Sequence, residues 1–272
     1  MDAGGVRHVT KVGMQLLTSA WPEVEGFLRT SDTIVIPIGS TEQHGPTGLL
    51  GTDALCPEGI AQAAERLAPE RVLVAPTFSV GSAHHHLGFP GTITLRPTTM
   101  IAAVLDWVDS LRRHGFRRFY FLNGHGGNIA PVKTAFVEWY ARASLSGGDA
   151  RTALVLKNWW ELGEVEERCK ALYGAAHGSH ATPSEVAVTY ALFPEVAQRL
   201  ARESKLDPER APKGPVRDAA DYRRRFPDGR IGSDPTLATV ADGQTLIAMA
   251  AEALLTELDA LGKEELGGEP RP

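Results

Sequence analysis

The sequence predicts an α/β fold built on a mainly parallel sheet, and three observations carry that prediction. Short apolar runs alternate with stretches of helical periodicity. Those stretches are long enough to serve as the crossovers of βαβ units. The residues best suited to chemistry follow directly after the predicted strands, where an open parallel sheet binds its ligands.

Each element has its own justification. Residues 33–38, Thr-Ile-Val-Ile-Pro-Ile, are an apolar run of the kind found in a buried strand, and they lead into a Gly/Ser/Thr turn. Residues 55–67 recur at helical spacing, with Pro57 where a first turn tolerates it. Residues 71–75 read as a second strand. Residues 99–114 read as a helix stopped by Gly115, whose missing side chain suits a C-terminal cap. A third strand is expected at 117–122, a helix at 129–143, a fourth strand at 153–157 and a helix at 185–192. An amphipathic helix at 241–261 closes the pattern. The stretch 204–236 is rich in Pro, Gly and charge, which fits a disordered linker or, inside a compact domain, a long loop that is functional or packs on a partner subunit. Residues after 262 read as a solvated tail. No internal repeat is present, and residues 1–272 are expected to form one domain.

Composition excludes several functions. The chain has 272 residues, 43% apolar and 22% charged, near the average for a soluble globular protein. A chain of this length buries enough surface to fold without a disulfide or structural metal. With 28 basic and 33 acidic residues the net charge is -5, which argues against a nucleic-acid or anionic-membrane partner. Nor are basic and aromatic residues interleaved as in nucleic-acid-binding modules. Cys56 and Cys169 form no CxxC pair, so neither a disulfide scaffold nor a zinc ribbon is expected. The N-terminus has no apolar signal segment, and no uncharged apolar run reaches the roughly 18 residues of a membrane span. A cytoplasmic location is the expectation.

Chemistry concentrates at two strand ends. After the first strand come Gly39-Ser-Thr-Glu42-Gln-His44-Gly-Pro46 and Gly51-Thr-Asp53; after the third comes Asn123-Gly-His125-Gly-Gly-Asn128. Glu42, His44, Asp53 and His125 combine carboxylate and imidazole, a donor set favoured by Zn, Mn or Fe(II). Glu42 and His44 are two apart, so an extended segment points both to one side. Taken singly, Asp53 could cap a helix and Glu42 could be a solvated loop acid; as a set the four point to a metal. No GxxxxGK[ST] loop is present, which argues against a nucleotide. Thr182 and Glu185 fit a capping box with Pro183 at the first helical position, and spacing alone explains Glu185 in that way. In His84-His85-His86 at most His84 and His86 share a side, and substrate contact or proton shuttling fits them better than ligation. Trp159 and Trp160 are read equally as a core pair and as substrate contacts.

These motifs together resemble the creatininase (creatinine amidohydrolase) family. Residues 40–53 are similar to its STEQHGPHLPLGTD signature, with Thr47 and Gly48 where His and Leu are common. Gly88-Phe-Pro-Gly-Thr92 resembles its FPGT segment, with His86 at the preceding histidine. Residues 123–128 are the NGHGGN form of a further motif, and Ile231 to Pro235 with Ala238, Thr239 and Gly243 resemble its GDPxxAT…G stretch. The likeness spans roughly residues 30–262.

The resemblance implies a three-layer α/β/α fold and two divalent ions per chain, Zn, Mn or Fe. It implies that Glu42 and His125 bind one ion, His44 the other, and that Asp53 bridges. Creatininase takes its remaining carboxylate from the position of Gly127, which cannot ligate; the HAGExET motif of NGHGGN members aligns with residues 180–186 and turns Glu185 into a ligand, a second role expected to sit poorly with capping. His180 and Glu185 are thus the expected catalytic residues, His180 as proton donor, with His86 and Trp160 as substrate contacts. The implied reaction is attack on an amide C–N bond by a hydroxide shared between two metals. Pro183, Val186 and Ala187 depart from HAGExET, and Ala176 and Ser179 replace a tryptophan and an acid of creatininase, so creatinine is not the expected substrate. A small cyclic or formyl amide is expected. The alternatives are a formamide deformylase of flavin or deazaflavin biosynthesis, a mycofactocin-type peptidase and, from another class, a non-catalytic metal-binding protein. A homo-oligomer, often a hexamer, is also implied.

Overall fold

The structure is a computed structural model that describes residues 14–148, 150–200 and 214–266. The expectations for the N-terminal ten residues, for 204–213 and for the tail from 267 onward lie outside the described residues. In chain order the elements are β1 (Met14–Gln15), α1 (Trp21–Phe27), β2 (Thr33–Ile38), α2 (Thr52–Leu67), β3 (Leu73–Val74), α3 (Pro97–Arg113), β4 (Arg118–Asn123), α4 (Ile129–Leu145) and β5 (Ala153–Asn158). There follow α5 (Val165–Tyr173), α6 (Pro183–Leu192), α7 (Pro194–Leu200), α8 (Ala219–Arg225) and α9 (Val240–Lys263). The strands form one sheet in the order β1-β3-β2-β4-β5, parallel at every pairing.

The three-layer α/β/α expectation holds. Ile34, Ile36 and Ile38 of β2 and Phe119 and Phe121 of β4 pack against apolar faces of α1, α3 and α4. Val35, Tyr120 and Leu122 point the other way, into a core shared with α2, α5, α6 and α9. Cover on both faces is why these central parallel strands read as unbroken apolar runs rather than as alternating ones. Among the described residues no helix is long and apolar enough to cross a membrane.

Three departures from the sequence expectation have physical reasons. Strands β1 and β3 are short, two residues each, so the strand expected at 71–75 shrinks to Leu73–Val74, while β1, α1 and α7 are too short for periodicity to announce them. Helix α2 begins at Thr52, which moves Pro57 into its interior. Proline has no N–H for the Asp53 carbonyl four residues back. That carbonyl instead packs against Gly39 and Gly124, where any Cβ would overlap it. Finally, part of the expected loop is helical. Asp218 caps α8 by accepting from the Asp221 N–H at 2.7 Å, and Tyr222 and Phe226, four apart, bury themselves against Phe89. Two apolar residues per segment are too few to mark a helix in the sequence.

The register places the site. Ile38, Asn123 and Asn158 pair side by side, so β2, β4 and β5 end at one level. The segments leaving them, which carry Glu42, His125 and Trp160, therefore meet at the carboxyl edge of the sheet.

Candidate metal centre

Backbone carbonyls aim the two central imidazoles. Ring nitrogen Nδ1 of His44 lies 3.1 Å from the Glu42 carbonyl, which can only accept, so Nδ1 donates and Nε2 is turned toward Asp53 Oδ1 at 2.9 Å. His125 donates from Nε2 to the Ser82 carbonyl at 3.1 Å. Its Nδ1 then faces Asp53 Oδ2 at 2.9 Å and Glu42 Oε1 at 3.3 Å. The oxygens of Asp53 are thus divided between two histidines on different segments, with Glu42 on the His125 side.

Glu185 completes the other side. Thr182 and Glu185 form the expected capping box: the Glu185 N–H donates to Thr182 Oγ1 at 3.3 Å, and Glu185 Oε1 accepts from the Thr182 N–H at 2.6 Å. The same oxygen lies 3.9 Å from His44 Nε2. Capping and facing the centre are therefore compatible, because a carboxylate oxygen has two lone pairs and the cap uses one of them. Ala181, at a left-handed φ of 53°, makes the sharp turn that aims His180 inward while Thr182 opens α6. The His180 ring centroid is 4.7 Å from that of His44.

The donors fit a divalent cation. Both oxygens of Glu42 and Oδ2 of Asp53 are buried without a well-formed hydrogen bond, which is costly for a carboxylate unless a cation is near. Glu42–His44–Asp53 and His44–His180–Glu185 each bring one ligating atom per residue within 4.8 Å of one another. Carboxylate with imidazole suits Zn, Mn or Fe(II).

Burial and charge shift these groups in opposite directions. Burial raises the Glu42 pKa to about 8 although His125 opposes it, and raises Glu185 to about 7 against His44. Burial disfavours charge on His44, yet Asp53, Glu185 and Glu42 outweigh it and push its pKa up to about 10. His125 rises to about 9 because Glu42 and Asp53 likewise outweigh burial. Burial also works against the Asp53 anion, but His44 and His125 hold its pKa well below the usual carboxylate range. In His180 burial, joined by the positive field of His44, pulls the pKa down and keeps the ring neutral.

The remaining candidates separate cleanly. His86, expected to touch substrate, is buried behind Glu42, its Nε2 3.1 Å from Glu42 Oε1, rather than on the cavity wall; His84 is exposed. The three histidines occupy one 3-10 turn, which sends their side chains in different directions. Trp159 is core, while Trp160 is half-buried. Both border a cavity of about 490 Å³ that also takes in Asp53, His125, His177, His180 and Glu185.

Sequence reasoning missed the bracing residues. Asn123 Nδ2 donates to the His125 carbonyl at 2.7 Å and to Asn158 Oδ1 at 2.8 Å. Asn128 Nδ2 donates to the Gly39 carbonyl at 2.9 Å, tying the β2 exit to the β4 exit. Gln43 and Tyr222 also belong to the site. A signal existed for three of these: amide side chains embedded in glycine-rich motifs at strand ends have no apolar role. Nothing marked Tyr222.

Residues 18–258 match the family model of Creatininase, described as creatinine amidohydrolase. The chain is 27% identical to the mycofactocin precursor peptide peptidase of Mycobacterium ulcerans, over 85% of this chain and 82% of that protein. It is 24% identical to the 3-dehydro-scyllo-inosose hydrolase of Thermotoga maritima, over 93% and 83% of the two chains. Among solved structures, a manganese form of creatininase superposes with a TM-score of 0.78 at 20% identity, covering 93% of this chain and all (100%) of the other. A Zn-Zn form of a creatininase point mutant gives 0.76 at 21% identity, with 93% and 100% covered. With the family model spanning most of its length and the fold shared, the chain belongs to the creatininase (creatinine amidohydrolase) family and is a metal-dependent amidohydrolase.

Proposed function

We propose that the chain hydrolyses the C–N bond of a small non-peptide amide, cyclic or N-formyl, with two divalent ions. The observation that carries the reading is the division of Asp53: Oδ1 lies 2.9 Å from His44 Nε2 and Oδ2 lies 2.9 Å from His125 Nδ1. A carboxylate split in this way suits a bridge, with Glu42 and His125 holding one ion and His44 and Glu185 the other. The manganese and Zn-Zn forms of the creatininase relatives favour Mn or Zn.

When bound, the two ions supply Lewis acidity toward an amide carbonyl and lower the pKa of water toward neutrality. The protein's part is to hold the donors in place, to limit water in a cavity of about 490 Å³, and to move a proton. His180, neutral and with Nδ1 3.9 Å from Glu42 Oε1, is the group that takes up a proton given off by the attacking water and passes it to the departing nitrogen. Trp160 and His177 border the space beyond it and bound the substrate's size.

A second reading, cleavage of a peptide bond, is supported by the similarity to the mycofactocin precursor peptide peptidase across 85% of the chain. The test is hydrolysis by metal-loaded protein of three panels: cyclic amides, N-formyl amides and short peptides. Turnover confined to the first two supports the proposal, and turnover confined to peptides selects the second reading. Two bound ions with no turnover on any panel overturns both.

A further inference from the structure

We propose that Gln43 is a positioning residue that sets the tautomers of two site histidines, His86 through its side chain and His180 through its backbone carbonyl. Its consequence for Glu42 rests on the metal-centre reading above, but the tautomers are a property of the chain alone.

Counting donors and acceptors around the amide fixes both rings. A buried glutamine has two N–H donors and one carbonyl to satisfy. The Gly45 N–H lies 2.9 Å from Gln43 Oε1 and can only donate, which fixes which end of the amide is oxygen. The nitrogen end then meets the Gly229 carbonyl at 3.0 Å and His86 Nδ1 at 2.8 Å, and both hydrogens are used. Nδ1 of His86 must therefore accept. A neutral imidazole has one proton, so in His86 it sits on Nε2, 3.1 Å from Glu42 Oε1. An N–H there attracts the carboxylate; a lone pair would repel it.

His180 takes its tautomer from the same residue. Its Nε2 is 2.9 Å from the Gln43 carbonyl, an acceptor, so Nε2 carries the proton and donates. Nδ1 is left bare on the side of Glu42, 3.9 Å from Oε1. The 2.9 Å approach of Gln43 Nε2 to His180 Nε2 is then a contact between two hydrogen-bearing nitrogens, not a bond. One residue thus gives Glu42 an N–H from His86 and leaves His180 a free lone pair for proton transfer.

The amide is itself held. Tyr222 donates to the Gly229 carbonyl at 2.7 Å, and Gly229 sits at φ 89°, so close that any Cβ would overlap the Gln43 amide. Glutamate at position 43 would face the Gly229 carbonyl with a second acceptor and would require a proton on His86 Nδ1.

The test is nitrogen NMR of metal-free protein labelled with ¹⁵N-histidine, which reads the protonated nitrogen of each ring directly. In wild type both His86 and His180 should carry the proton on Nε2. In Gln43→Glu, His86 should move its proton to Nδ1 while His180 keeps Nε2–H. The same variant should bind Zn or Mn about 10–100-fold more weakly, the usual effect of losing a group that orients a ligand. A wild-type His86 protonated on Nδ1, or a folded Gln43→Glu protein with an unchanged His86, overturns the proposal. Should Gln43→Glu fail to fold, the wild-type spectrum decides by itself, because a proton on Nδ1 of either His86 or His180 overturns the proposal. Metal content is measured separately: wild type without metal would overturn the metal-centre reading while the tautomers still decide the role of Gln43.

Discussion

Replacing Glu185 by glutamine separates two roles that the structure gives to one side chain. Oε1 caps α6 by accepting from the Thr182 N–H at 2.6 Å, and it also lies 3.9 Å from His44 Nε2. Among the described residues no hydrogen bond reaches Oε2. Glutamine keeps a carbonyl oxygen for the cap, and the capping box accepts either residue. Metal-free Glu185→Gln should therefore unfold within about 0.5 kcal/mol of metal-free wild type. Glu185→Ala, which strands the Thr182 N–H, should lose about 1–3 kcal/mol. With metal the order changes. A site filled at about 100 times its Kd adds about 2.7 kcal/mol, or roughly 5–10 °C in a chain of this size. Glu185→Gln should fall from two ions to one by elemental analysis and forfeit one such increment in Tm. Two ions per chain and a wild-type metal shift in Glu185→Gln would return Glu185 to capping alone and refute the ligand assignment.

Other expectations follow from the same geometry. In the metal-free protein Glu42, Glu185, His44 and His125 have folded pKa values raised from 4.5 or 6.5 to about 8, 7, 10 and 9. A raised folded pKa gives stability that is complete below the unfolded value and lost as pH climbs through the folded one. Above about pH 6.5, where the lowered His85, His86 and His180 are neutral in both states and add no slope, metal-free Tm should therefore fall up to about pH 10, and saturating Zn or Mn should reverse the trend because ligands bind deprotonated; an unchanged Tm across that window would contradict the charge arrangement. Gly124→Ala forces a Cβ into the Asp53 carbonyl and should cost about 1–3 kcal/mol together with bound metal, read by thermal unfolding and elemental analysis. Trp159→Ala should cost about 3–5 kcal/mol as a core truncation. Trp160→Ala, at the cavity, should cost clearly less stability and appear chiefly as a higher KM.

Much of the site was legible because its ligand types sit in two short motifs. Glu42, His44 and Asp53 lie within twelve residues and His125 within its own glycine-rich turn, so residue type and spacing were enough to group them. Glu185 was not legible from spacing. Its capping box explained it fully, and only the fold shows that the first turn of α6 points at His44. The role of His86 was not legible either, since which of three adjacent histidines turns inward depends on the 3-10 turn they share. Helix α8 stayed hidden because Tyr222 and Phe226 find their partner, Phe89, more than a hundred residues earlier in the chain.

The sequence by itself determined the class of fold and the chemistry available. Buried strands need unbroken apolar runs, helices need their own period, and a metal needs carboxylate and imidazole; all three requirements are written locally. Tertiary structure decided which donors meet and which way each ring faces. Asp53 reaches His125 across 72 positions in sequence, and Gln43 reaches His86, His180 and Gly229 across 43, 137 and 186. Such approaches depend on sheet register and on glycines that let backbones close in. The lengths of β2, β4 and β5, ending together at Ile38, Asn123 and Asn158, turn separate motifs into one site.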